Sequence, residues 1–132
     1  MFFRYLLFIT LILNSKYSFS QEDTLTDQVF TIVETMPQYP GGEVEMMNFI
    51  KSNLKPPKKK DYRLGPKTGI TKFVVYAEGK VVEVHILKSS EIESFDLQLV
   101  NMFESMPRWT PATQAGKTVR VEFTMPIKTC LL

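Results

Sequence analysis

The spacing of apolar positions changes several times along the chain, and each change marks an element. From residue 43 to 54 (EVEMMNFIKSNL), Met47, Ile50 and Leu54 fall on one face at helical spacing, widened by Met46 and Phe49. Gly42 stands at the N-cap, Glu43 and Glu45 sit at the positive end of the helix dipole, and Pro56-Pro57 stops the run. Residues 70–77 (ITKFVVYA) and 81–87 (VVEVHIL) are rich in β-branched and aromatic side chains. Glu78-Gly79 between them predicts an antiparallel hairpin. Phe95, Leu99, Met102, Phe103 and Met106 form the stripe of a second helix over 95–106, with Ser94 as N-cap, Asp96 in the first turn and Pro107 as stop.

Residues 118–128 (TVRVEFTMPIK) alternate. Val119, Val121, Phe123, Met125 and Ile127 face one way; Arg120, Glu122, Thr124 and Lys128 face the other. Pro126 removes a backbone donor, which places this strand at a sheet edge, at least near its end. Residues 29–33 (VFTIV) alternate weakly and form an optional leading strand. The order is (β)αββαβ. It predicts an α+β domain, with two helices on one face of a small antiparallel sheet of about three strands.

The remaining segments are punctuation. Residues 36–42 (MPQYPGG) hold two prolines and two glycines. Residues 55–69 read as a basic Pro/Gly loop and 108–117 (RWTPATQAGK) as a connecting loop. Residues 1–20 read as an address. A short basic start with Arg4 precedes the apolar run 5–13 (YLLFITLIL), and Ser18-Phe19-Ser20 supplies small residues before a cut after Ser20. The run is too short for a spanning helix, which needs about 20 apolar residues. This predicts a signal peptide over 1–20, a flexible lead-in over 21–35, a single domain over 36–132 and an exported protein.

Composition narrows the function. The 132 residues carry 16 Lys/Arg against 14 Asp/Glu. Cleavage after Ser20 would remove Arg4 and Lys16 and leave no net charge, so a nucleic-acid partner is not expected. One Cys, Cys130, excludes an internal disulfide, and one His leaves no pair of His ligands for a metal. No cofactor is expected.

Candidate chemistry is sparse. His85 shares a face with Val81, Glu83 and Leu87 under simple alternation, and it reads as an exposed strand residue rather than a general base. Glu91 and Glu93 read as solvated charges at a helix start, not as a glycosidase pair. Lys58, Lys59 and Lys60, with Lys55 and Arg63 nearby, read as a solvated loop, with contact to an anionic surface as the alternative. Trp109, after the helix stop in Arg108-Trp109-Thr110-Pro111, reads first as a lid on the core. Contact with a peptide partner is its second role, since Trp and Arg are enriched at binding hot spots.

Taken in order, these pieces resemble a known family. Met36-Pro37-Gln38-Tyr39-Pro40-Gly41-Gly42-Glu43, Phe49-Ile50 and Asn53-Leu54 are succeeded by Phe73-Val74-Val75 and Glu78-Gly79-Lys80-Val81. Met106-Pro107-Arg108-Trp109, Thr110-Pro111-Ala112, Gly116-Lys117 and the closing strand complete the set. It resembles the TonB C-terminal domain of Bacteroidetes-type proteins over about 29–128. The resemblance implies a periplasmic location and a non-enzymatic module that binds a segment of an outer-membrane TonB-dependent transporter by strand addition. It implies pairing along Arg120, Val121, Glu122, Phe123, Thr124 and Met125, with Arg108, Trp109 and Pro111 at the rim. A homodimer through the same edge is a further expectation.

Two departures stand out: Pro56-Pro57 and three lysines replace the family's usual Tyr-Pro, and Glu78-Gly79 its Asp-Gly. Residues 21–35 reach at most about 50 Å fully extended, which favours peptide binding over transmission of force. A membrane-tethered energy transducer is the alternative if residues 1–20 are retained. A small secreted hydrolase using His85 and a carboxylate is the remote one.

Overall fold

The computed structural model of the chain describes residues 28–62 and 65–131. The expected signal peptide, most of the expected lead-in, and Arg63 lie outside them. Among the described residues no helix is long and apolar enough to cross a membrane.

The elements run β1 (Val29–Phe30), α1 (Glu43–Asn53), β2 (Thr68–Val75), β3 (Val81–Lys88), α2 (Glu93–Glu104), β4 (Ala112–Gln114) and β5 (Lys117–Lys128), with short 3-10 turns at Lys59–Tyr62 and Thr129–Leu131. The fold is α+β, as the periodicity predicts. The sheet differs from expectation: instead of about three antiparallel strands it has five among the described residues. It is mixed, because β1 runs parallel to β5 while the other pairings are antiparallel. The spatial order is β1-β5-β2-β3, and β4 also pairs with β5.

Both helices close over the same buried cluster. Ile50 and Leu54 from the first meet Phe95, Leu99, Met102 and Phe103 from the second, over Phe73, Val75, Val81 and Ile127 of the sheet. Phe73 is central, stacked on Phe103 and Phe123 with ring centroids 4.8 and 5.6 Å apart. A second, smaller cluster of Ala112, Val119 and Val121 is covered in part by Phe30 and Val33.

Local signals explain the boundaries, with one exception. α1 starts after Gly42, and the Leu54 N–H closes it on the Ile50 carbonyl at 3.0 Å. α2 starts two residues before the expected site, so Ser94 lies inside the first turn and Ile92 is the N-cap residue. Its entry is held from within the helix instead: the Asp96 carboxylate accepts the Ser90 N–H at 2.9 Å and the Ser89 hydroxyl.

β3 also departs from simple alternation. Glu83 has a left-handed φ of 54°, and β3 carries two register irregularities against β2. Such bulges turn the strand over. Val81 is therefore buried on the core face, whereas Glu83, His85 and Leu87 are exposed. His85 does not share Val81's face.

β4 lies where the sequence predicts a loop. It forms a hairpin with β5 through the two-residue turn Ala115-Gly116, with φ of 50° and 75°. Two positive φ values are the requirement of a type I′ turn, in which Asn-Gly is favoured and a left-handed Ala is strained. Ala115→Asn is expected to stabilise the domain by about 0.5 kcal/mol, visible as a Tm rise of roughly 3 °C in thermal unfolding.

Candidate binding edge

β5 is the longest strand, and its two edges differ. β2 covers one edge from Val121 to Lys128 in an unbroken antiparallel register. Val121 is partnered by both Val75 and Phe30, so β1 lies on the opposite edge. β1 pairs only with Arg120 and Val121. Over residues 122–128 no strand pairs with that opposite edge among the described residues.

The phase of the ladder tells which groups face outward. The Thr129 N–H donates to the Lys67 carbonyl at 2.9 Å. Antiparallel strands alternate bonded and non-bonded pairs, so odd-numbered residues of β5 bond to β2. Even-numbered ones turn their backbone groups away. Thr124 and Lys128 each present an N–H and a C=O to the open edge, Glu122 and Pro126 a C=O alone, since the parallel pairing of Phe30 with Val121 directs the Glu122 N–H to the Phe30 carbonyl. The missing Pro126 donor thus falls on the unpaired side, as the sequence requires. The other outer strand, β3, has an edge too, but two bulges and the exposed Glu83, His85 and Lys88 disturb it in the way proteins blunt edges.

Beside the open edge lies a cleft of about 430 Å³. Phe123 and Met125 of β5 form one wall; Pro37, Gln38, Tyr39 and the start of α1 form the other, with Trp109 at the base. Trp109 is only 5% exposed. Its ring meets Tyr39, Phe73 and Phe123 at centroid distances of 5.8, 5.8 and 5.7 Å. Its backbone N–H donates to the Gly79 carbonyl at 2.8 Å, which ties the cleft base to the β2–β3 turn. Burial, with Glu45's charge adding to it, pushes the Tyr39 hydroxyl above its usual pKa, so it stays a neutral donor.

The wall 37–39 is itself fixed by sheet-like bonds. Thr35 and Thr113 exchange hydrogen bonds at 3.2 and 3.0 Å, and Gln38 and Thr110 do so at 3.0 and 2.8 Å. The aromatic punctuation of MPQYPGG is visible in the sequence, but its contribution to a site is not: no periodicity links Tyr39 to Phe123.

The residues singled out in the sequence separate in space. Phe123 and Met125 line the cleft, and Thr124 is exposed on the other face. Glu122 pairs with Lys72 at 3.6 Å. Arg120 stacks its guanidinium over Tyr76, 4.3 Å from the ring centroid. The outward groups of Arg120 and the Glu122 N–H lie under β1, so the stretch open to pairing runs from the Glu122 carbonyl to residue 128, where the sequence points to 120–125. Trp109 is the core lid. Arg108 is exposed and Pro111 half-buried, and neither lines the cleft. Lys58, Lys59 and Lys60 are exposed on the α1–β2 connection, also away from the cleft lining. Cys130 is exposed. Among the described residues no group of three or more His, Cys, Asp or Glu could hold a metal ion.

Comparison with protein families decides the kinship of this arrangement. The model of the Gram-negative bacterial TonB protein C-terminal matches residues 68–128. That segment belongs to the TonB C-terminal family. The match runs from the first residue of β2 to the last of β5 and so includes the whole open edge and Trp109. No curated protein matches the chain. TonB C-terminal domains are non-enzymatic interaction modules linked to TonB-dependent transport, and they interact with outer-membrane TonB-dependent transporters in general.

Proposed function

We propose that this TonB C-terminal domain works in the periplasm and binds an extended segment of an outer-membrane transporter by strand addition to β5. The observation that carries the reading is the open edge over 122–128 with an apolar cleft beside it. Backbone pairing supplies affinity in such complexes, and pockets for alternate side chains supply specificity. An added strand places every second side chain on the face of Phe123 and Met125, toward the cleft. Seven positions accommodate a typical strand of about five to six residues.

Isothermal titration calorimetry with synthetic peptides of transporter N-terminal segments is the test. Saturable binding that weakens when Met46 at the cleft wall becomes Glu is the expected result. Absence of binding to any such peptide contradicts the reading. The same edge can pair two copies of the chain, so sedimentation equilibrium belongs beside the titration: a dimer, if formed through β5, dissociates as peptide is added.

The retained-anchor alternative, a tethered energy transducer, uses the same edge and is separated from an exported adaptor by the N-terminal sequence of the protein recovered from fractionated cells. The hydrolase reading draws nothing from His85, which stands exposed on β3 opposite Lys72.

A further inference from the structure

We propose that β1 is an intramolecular occupant of the ligand edge, displaced when a transporter segment binds; this rests on the strand-addition reading above. β1 lies on the same edge of β5 as the open stretch and directly abuts it, at Arg120 and Val121. It runs parallel to β5, unlike every other strand paired to it. The residues around it are of the type an edge accepts, with Val29, Phe30, Thr31, Ile32 and Val33 in sequence. Only two of the five are paired.

The rest of the segment makes little of its apolar character. Val29 is 41% and Ile32 84% exposed. Only Phe30 and Val33 touch a buried cluster, and both are half-buried.

The segment just C-terminal to β1 is held independently of it. The Glu34 N–H donates to the Gln114 side-chain carbonyl at 2.9 Å, and the reciprocal bonds of Thr35 and Gln38 bind the next turn to β4 and its approach. Between the two lie bends at Thr31 and Ile32. β1 can therefore leave β5 while the cleft wall at 37–39 stays in place.

A transporter strand has reason to take its position. The open stretch offers a backbone donor at Thr124 and Lys128 but none at Pro126, and the Glu122 donor is taken by β1. A strand extended by one more pair reaches the backbone of Arg120, which β1 covers. Apparent affinity is then the intrinsic affinity scaled by the fraction of molecules with β1 undocked. The lead-in becomes a tuning element: whatever holds β1 down weakens binding, and whatever pulls it away strengthens binding.

Two full-length variants test this by fluorescence anisotropy. The probes are a labelled transporter N-terminal peptide and a labelled copy of residues 27–33 (DQVFTIV). Phe30→Pro removes a β1 donor and one of its buried contacts. It is expected to bind the transporter peptide at least ~5-fold more tightly than the unaltered chain, and to bind the 27–33 peptide, which the unaltered chain takes up more weakly. Val29→Cys with Arg120→Cys, in a Cys130→Ser background, locks β1 when oxidised. Its affinity for the transporter peptide is expected to fall at least ~5-fold on oxidation and to return on reduction.

Equal affinity in the oxidised and reduced lock overturns the proposal even if Phe30→Pro fails to fold. Strand addition itself then still stands, provided Thr124→Pro abolishes binding. If no form of the chain binds the transporter peptide, the strand-addition reading falls and this inference falls with it.

Discussion

Replacing Thr124 by proline is expected to abolish peptide binding while leaving the domain folded. The even-numbered residues of β5 turn their N–H groups away from β2, as the Thr129–Lys67 bond fixes the phase. A proline at 124 therefore removes no bond within the sheet, whereas it deletes a donor at the centre of the open edge and sets a ring against an incoming strand. Pro126, two residues on, shows that the strand already tolerates proline on this phase. Affinity should drop by at least ~10-fold, with a melting temperature lowered by only a few degrees, roughly 1 kcal/mol or less of stability. Phe123→Pro is the matched control. It removes a donor to β2 and a ring stacked on Phe73, and the domain should not fold. Equal loss of structure in both variants would show that the phase assignment is wrong.

Gly79→Ala is expected to be the most damaging conservative change in the turns. Gly79 has φ +88°, and an added Cβ would lie 2.0 Å from the Trp109 carbonyl oxygen. The conformation alone costs a non-glycine residue about 1–2 kcal/mol. The contact is with backbone and cannot be relieved by a rotamer change; overpacking of this kind costs about 1–3 kcal/mol more. A loss of about 3 kcal/mol lowers Tm by roughly 15 °C for a domain of this size. Because the same turn carbonyl holds the Trp109 N–H, the tryptophan should move as well. Near-ultraviolet circular dichroism and Trp fluorescence report this directly, since Trp109 is the single tryptophan. Gly116→Ala is the comparison: it shares the positive φ but meets nothing within 4 Å, and should cost only the conformational part.

The two helices and the β2–β3 hairpin are legible in the sequence because each has a long, uniform apolar period that tertiary packing reinforces. Leu99, Met102 and Phe103 could hardly face anywhere but the core. β1 and β4 are less legible because two and three residues carry too little periodicity to separate a strand from a loop. The clue for β4 is the pair Ala115-Gly116, weaker than Asn-Gly because Ala does not advertise a left-handed φ. Ser94 looks like a cap, yet Asp96 reaches back to Ser89 and Ser90 and moves the helix start. Alternation places His85 with Val81 because nothing in the sequence announces a bulge at Glu83.

The edge is half legible. Pro126 tells which end of β5 lacks a partner, but alternation states which face is buried and says nothing of how many neighbours a strand has. The occupation of Arg120 and Val121 by β1 is therefore out of its reach, as is the cleft, whose walls come from segments far apart in the sequence. The resemblance of the motifs to TonB C-terminal domains supplies the function class that no catalytic constellation could.

Residue-resolved amide hydrogen exchange, with and without a transporter N-terminal peptide, tests the central claim most directly. The amides of Phe123 and Met125 should be protected in both states, since they bond to β2. The amides of Thr124 and Lys128 should exchange fast in the free domain and become strongly protected on binding. Protection that appears along β3 instead, or no change at Thr124 and Lys128 under saturating peptide, would contradict strand addition at the open edge of β5.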